Sequence, residues 1–114
     1  GRAWPSPVGL LVHDRAGLMV SYRGAIALPV PIPEQEPAAS PCETCANQPC
    51  RTACPVNALS PDGYDVAACH TYLDTPSGAE CLSRGCAARR TCPVSQTYAR
   101  PDAQSEFHMR TFHP

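Results

Sequence analysis

The residues of this 114-residue chain whose type and spacing could do chemistry are its eight cysteines. They form two groups, each ending in a Cys-Pro step. The first group has the spacing C-x2-C-x4-C-x3-C-P and contains Cys42, Cys45, Cys50 and Cys54. The second has the wider spacing C-x11-C-x4-C-x5-C-P and contains Cys69, Cys81, Cys86 and Cys92. Thiolates are soft ligands for zinc and for iron–sulfur clusters, so both groups are candidate metal sites.

The two groups end in the same way, because Cys54 and Cys92 are each followed by Pro-Val. Proline fixes its own backbone torsion and restricts the residue before it, so both cysteines sit where the chain changes direction. This repeat indicates a duplicated site.

The first group resembles the run of bacterial two-cluster ferredoxins, C-x2-C-x2-C-x3-C-P, with two more residues between Cys45 and Cys50. In those proteins the three close cysteines ligate one [4Fe–4S] cluster, and the cysteine before proline ligates the other. The resemblance therefore implies two clusters, each completed by a cysteine from the opposite group. Cluster one is assigned Cys42, Cys45, Cys50 and Cys92. Cluster two is assigned Cys54, Cys69, Cys81 and Cys86.

More narrowly, the chain resembles the iron–sulfur part of the epoxyqueuosine reductase and reductive dehalogenase group. The similarity lies in pieces between residues 8 and 94, at residues 9–13, 17, 24–29, 42–45, 54–59 and 69–73. Those relatives close with Gly-Cys-x2-Cys-x3-Cys-Pro, whereas here five residues separate Cys86 from Cys92, and Cys81 would supply the missing ligand from upstream. They also carry a cobalamin-binding catalytic half, which these residues lack. The resemblance implies the clusters and the fold, and it does not transfer the reductase activity.

Two other uses of the cysteines remain open. Structural zinc usually takes paired C-x2-C hooks, and only Cys42 and Cys45 form one. A disulfide scaffold suits small secreted chains, but no secretory signal is visible here. His70, next to Cys69, could tune or replace a ligand, although a surface helix position is the simpler interpretation.

Charge and hydropathy exclude several functions. Nine Lys plus Arg, all of them arginine, balance ten acidic residues to a net charge of −1, which argues against a nucleic acid or an anionic membrane as the main partner. No apolar run reaches the roughly 20 residues of a membrane span. Without lysine there is neither a P-loop nor a Schiff-base site. We expect a cytoplasmic protein whose partner is a redox protein or an upstream catalytic domain.

The expected fold is α+β: a ferredoxin-like two-cluster core with short helices, preceded by a small β hairpin or sheet. With 14 prolines but only two Phe and one Trp, the chain has few core-forming residues, so bound metal should support it. We predict strands over 8–13 and 18–22, with an extended stretch at 25–28. Helices are predicted over 66–73, capped by Asp65, over a segment ending at Arg84 before Gly85, and over 105–112.

Three regions follow from these patterns: residues 1–41, with strands and a connection through Pro29, Pro31, Pro33, Pro37 and Pro41; the two-cluster region 42–94; and a tail at 95–114. The expected function is electron transfer through two [4Fe–4S] clusters. The alternatives are an electron-entry module of a larger reductase, which would make the chain part of an oxidoreductase, and a zinc-stapled interaction module. No nucleophile pattern independent of the cysteines is present, so we predict no catalytic residue.

Overall fold

The computed structural model describes residues 2–33, 36 and 38–114 and has the mixed α+β character that the sequence predicts. Its strands form two separate antiparallel pairs, β1 with β2 and β3 with β4. The strands are β1 (Ala3–Pro5), β2 (Leu11–His13), β3 (Leu59–Ser60) and β4 (Gly63–Tyr64). The helices are α1 (Val66–Leu73), α2 (Ala79–Arg84), α3 (Ala87–Thr91), α4 (Pro93–Tyr98) and α5 (Asp102–Phe112), with single 3-10 turns at Pro49–Arg51 and Pro76–Gly78.

The N-terminal hairpin exists, but its strands differ from the predicted ones. β1 pairs with β2, placing Trp4 opposite Val12. The predicted strand at 8–13 was wrong over its first half, because Gly9 adopts φ +72° and the chain turns there. The predicted strand at 18–22 was also wrong: only Gly17 forms an isolated bridge, to His13.

The stretch that follows the hairpin carries no regular secondary structure. Residues 21–33 are all exposed, and the extended stretch predicted at 25–28 forms no strand within the described part of the chain. Of the predicted proline connection, Pro37 lies outside the described residues.

The predicted ends of two helices are confirmed. The backbone N–H of Ala68 donates to Asp65 Oδ1 at 2.9 Å, which confirms the N-cap of α1. Gly85 ends α2 with φ +91°, and its N–H donates to the Cys81 carbonyl at 3.0 Å. α5 starts three residues before the predicted helix at 105–112 and packs against α2. α4 runs across residue 94, where the sequence placed the end of the cluster region.

A small core joins the hairpin to the cysteine-bearing helices. Its buried members are Val8, Val12, Leu18, Cys50, Leu59, Ala88 and Cys92. The N–H of Leu18 donates to Ser95 Oγ at 2.9 Å, and Arg89 donates to the Leu18 carbonyl. The hairpin is thereby fixed to α3 and α4, the two helices that flank Cys92.

Candidate metal centres

The eight cysteines line two separate cavities, four in each. The first cavity, of about 360 Å³, is lined by Cys42, Cys45, Cys50 and Cys92. The second, of about 540 Å³, is lined by Cys54, Cys69, Cys81 and Cys86. These are the two quartets that the sequence assigned, with each Cys-Pro cysteine lying in the cavity of the opposite group. That each quartet ligates a cluster remains a prediction.

The thiols within each quartet are close enough to act on one another electrostatically. Burial raises the pKa of Cys50, and the nearby thiols of Cys42, Cys92 and Cys45 raise it further. The other three thiols of the first quartet therefore all act electrostatically on the Cys50 sulfur. Such thiols stay protonated at neutral pH in the absence of metal, and metal binding must displace their protons.

The second quartet gives the same result. Burial raises the pKa of Cys69, and Cys86, Cys54 and Cys81 raise it further, against a lowering by a hydrogen bond with the Tyr64 hydroxyl. The grouping of Cys54 with helix-borne cysteines is therefore seen both in the cavity lining and in the electrostatics.

The local backbone explains the two extra residues in the first motif. Asn47 and Gln48 both have left-handed torsions, with φ of 62° and 39°. Two such residues reverse the chain after Cys45, and the 3-10 turn at Pro49–Arg51 then carries Cys50 back to the cavity. Although this loop is two residues longer than the ferredoxin loop, it still brings three thiols to one cavity.

Cys92 reaches that cavity because of its proline. It lies between α3 and α4 with extended torsions, φ −61° and ψ 124°, and Pro93 opens α4 at the position where proline is favoured. The Cys-Pro step thus breaks what would otherwise be one continuous helix and turns this thiol away from its own group.

Two helices, the N-cap of a third helix and a loop carry the second quartet. Cys69 lies in α1, Cys81 in α2, and Cys86 directly before α3. In the loop, the N–H of Ala58 donates to Cys54 Sγ at 3.3 Å. Burial raises the pKa of Cys86, while backbone N–H groups from α3 lower it. N–H donors aimed at sulfur are the interactions by which proteins stabilise metal-bound thiolates.

His70 does not line either cavity. Its ring packs edge-on against Phe112, with centroids 4.7 Å apart, and lies 4.4 Å from the ring of His113. Its Nε2 is buried and has no hydrogen-bond partner among the described residues. The residue is therefore half-buried between α1 and α5, and the expected surface position was wrong.

Sequence reasoning missed the residues that extend the second cavity beyond its thiols. Arg23, Arg100 and His108 line it, although Arg23 lies far before the other two in the chain. Spacing carries no signal for them, since only the folded chain brings residue 23 to the same cavity as residues 100 and 108. Of the arginines that flank the second cysteine group in sequence, Arg84 and Arg90 pair with Glu80 on the surface.

The donor types are those that an iron–sulfur cluster uses. Four thiols line each cavity, and in the second cavity backbone N–H groups are directed at Cys54 and Cys86. Within residues 2–33, 36 and 38–114, no group of three or more His, Cys, Asp or Glu side chains has the arrangement to hold a metal ion.

In comparisons with known proteins, no family model, no curated protein and no solved structure matches the chain. None of the helices in the described residues has the length and apolar character needed to cross a bilayer.

Proposed function

We propose that this chain is a ferredoxin-like electron carrier that holds two [4Fe–4S] clusters in its two cysteine-lined cavities. The observation that carries the proposal is the division of the thiols into quartets that exchange Cys54 and Cys92. Neither zinc hooks nor disulfides call for such an exchange. The two-cluster ferredoxin pattern does call for it, because its cysteine before proline ligates the other cluster.

The chain's own residues have three tasks in this role. The buried members Cys50, Cys81 and Cys92 keep their sulfurs away from water. The Ala58 N–H and the Tyr64 hydroxyl donate to sulfur and offset negative charge there. The exchanged cysteines tie both sites into one small core. When bound, each cluster supplies a reversible one-electron couple.

A reductive titration under anaerobic conditions tests the proposal. Two clusters should take up about two electrons per chain, one each. The Cys54→Ala variant, which removes one ligand from the second quartet, should take up about one. A disulfide takes two electrons, so uptake of about eight electrons by four disulfides would contradict the proposal, as would no uptake at all.

One observation favours the alternative of an electron-entry module within a larger reductase. The segment after the hairpin exposes large apolar side chains at alternate positions, which is the period of a strand with one buried face. They are Tyr22 (60% exposed), Ile26 (88%), Leu28 (56%), Val30 (64%) and Ile32 (66%). A further body of protein that covered this face would explain it.

Hydrogen exchange separates the carrier from the module. Backbone amides of residues 22–32 should exchange rapidly in this chain by itself. If the full-length product of the natural gene protects them, the module is favoured. If exchange is equally fast in both, the self-contained carrier is favoured.

A further inference from the structure

The second cavity has more room than its four thiols require. Its 540 Å³ is half as large again as the 360 Å³ of the first, although four cysteines line each. The additional walls come from the segment after the hairpin and from α4 and α5. They include Ser21, Arg23, Tyr98, Arg100, Gln104 and His108. We call this part of the cavity the cationic end.

Positive charge collects at the cationic end. Arg23, Arg89 and Arg100 line the cavity, and no Asp or Glu among the described residues does so. Arg23 makes no hydrogen bond or ion pair with any described residue, and Arg100 makes no ion pair with them. Within the described part of the chain, neither guanidinium group has an anionic partner.

Two of the arginines are held in place by neutral partners. Arg100 Nε donates to Ser105 Oγ at 3.1 Å, and Ser105 itself is buried on α5. Arg89 donates to the carbonyls of Leu18 and Val20. Neither contact cancels the positive charge, so both side chains are oriented and keep their charge.

The charges act on one another across the cavity. Burial lowers the pKa of His108, and Arg100, Arg23 and Arg89 lower it further. Burial lowers the pKa of Arg100 as well, with Arg89 adding to the effect. Arg89 also lowers the pKa of Cys86, so its charge acts on the thiols as well as on the cationic end. Like charges that act on one another raise the free energy of the site, and an anion would relieve that repulsion.

We propose that the cationic end binds a small oxyanion, a phosphate or carboxylate group, between Arg23 and Arg100. Guanidinium groups present paired N–H donors that match the oxygens of such anions. The Gln104 amide and the Tyr98 hydroxyl line the same space and can donate further hydrogen bonds. This site lies beyond the proposed electron transfer, because none of its residues is a cysteine of either quartet.

Calorimetric titration with inorganic phosphate, and separately with benzoate, tests the proposal in a buffer free of other oxyanions. We expect saturable binding of one anion per chain by at least one of the two probes. Binding of phosphate alone assigns a phosphate group, and binding of benzoate alone assigns a carboxylate.

The variants Arg23→Gln and Arg100→Gln should each weaken binding about tenfold or more, the loss expected for one charge-assisted hydrogen bond. Arg15→Gln is the matched control, because it removes the same charge from an exposed residue that lies outside the cavity. Arg23→Gln also guards against misfolding, because Arg23 bonds to nothing in the described chain.

Absence of saturable binding by either probe would overturn the inference. An equal loss in the Arg15→Gln control would also overturn it, because binding would then reflect net charge alone. A shifted reduction potential in the Arg23 and Arg100 variants without anion binding would show that these arginines only offset cluster charge. Phosphate binding by a protein that holds no iron would support this inference while refuting the proposed electron transfer.

Discussion

The exchange of cysteines between the two sites leads to a prediction that differs from that of sites built only from neighbouring cysteines in the sequence. Cys54 follows Cys50 by four residues, yet it lines the cavity of Cys69 and not that of Cys42. We therefore expect Cys54→Ala to abolish the second cluster and to spare the first. Iron should fall from about eight to about four atoms per chain, since each cluster holds four.

Double variants test which cysteines share a cluster with Cys54. Cys54→Ala combined with Cys69→Ala removes two ligands of one site, so about four irons should remain. Cys54→Ala combined with Cys42→Ala removes one ligand from each site, so almost none should remain. The assay is iron and sulfide quantification on anaerobically prepared protein, with far-ultraviolet circular dichroism to check folding.

The opposite pattern would refute the exchange. If Cys54 belongs with its sequence neighbours, the pair with Cys42→Ala should keep about four irons and the pair with Cys69→Ala should lose nearly all. Complete loss of iron from Cys54→Ala alone would contradict the independence of the two sites.

Three further predictions concern single side chains. Gly17→Ala should destabilise the fold by about 2 kcal/mol or more, because φ is +57° and a Cβ there would lie 2.9 Å from an α carbon of α4. The assay is thermal unfolding. Gly24→Ala is the control and should show no comparable loss, because a Cβ at residue 24 meets nothing within 4 Å. Tyr64→Phe should shift the potential of the second cluster to a more negative value in voltammetry, since its hydroxyl bonds to a thiol of that quartet, whereas Tyr72→Phe should not, because that hydroxyl donates to a backbone carbonyl. Asp65→Ala should cost about 1 kcal/mol in urea unfolding through loss of the α1 cap, and an unchanged midpoint would contradict the capping role.

The sequence predicted local features well where a side chain acts on its own backbone. Asp65 caps α1 and Gly85 ends α2, because both effects depend only on residues within one turn. The strand predictions failed where a glycine torsion decided the outcome. Gly9 turns left-handed beside the Ser60 carbonyl, and nothing in the apolar run from residue 8 to 13 signals that close approach.

In the candidate site, too, some features could be predicted from the sequence and others arise only from the fold. The expected grouping of the thiols follows from the resemblance of the first cysteine run to two-cluster ferredoxins, and the two cavities divide the thiols in the same way. The cationic end could not be predicted, since Arg23 and Arg100 are far apart in sequence and line one cavity only in the folded chain. The histidine at position 70 was placed on the surface because its contact with Phe112 depends on how the last helix folds back.

Elemental analysis of the unmodified protein, purified without oxygen, tests the central claim most directly. Two cubane clusters predict about eight iron and eight acid-labile sulfide per chain, with broad visible absorption that bleaches on reduction. A colourless protein with zinc and no sulfide, or one whose cysteines are joined in disulfides, would contradict the claim.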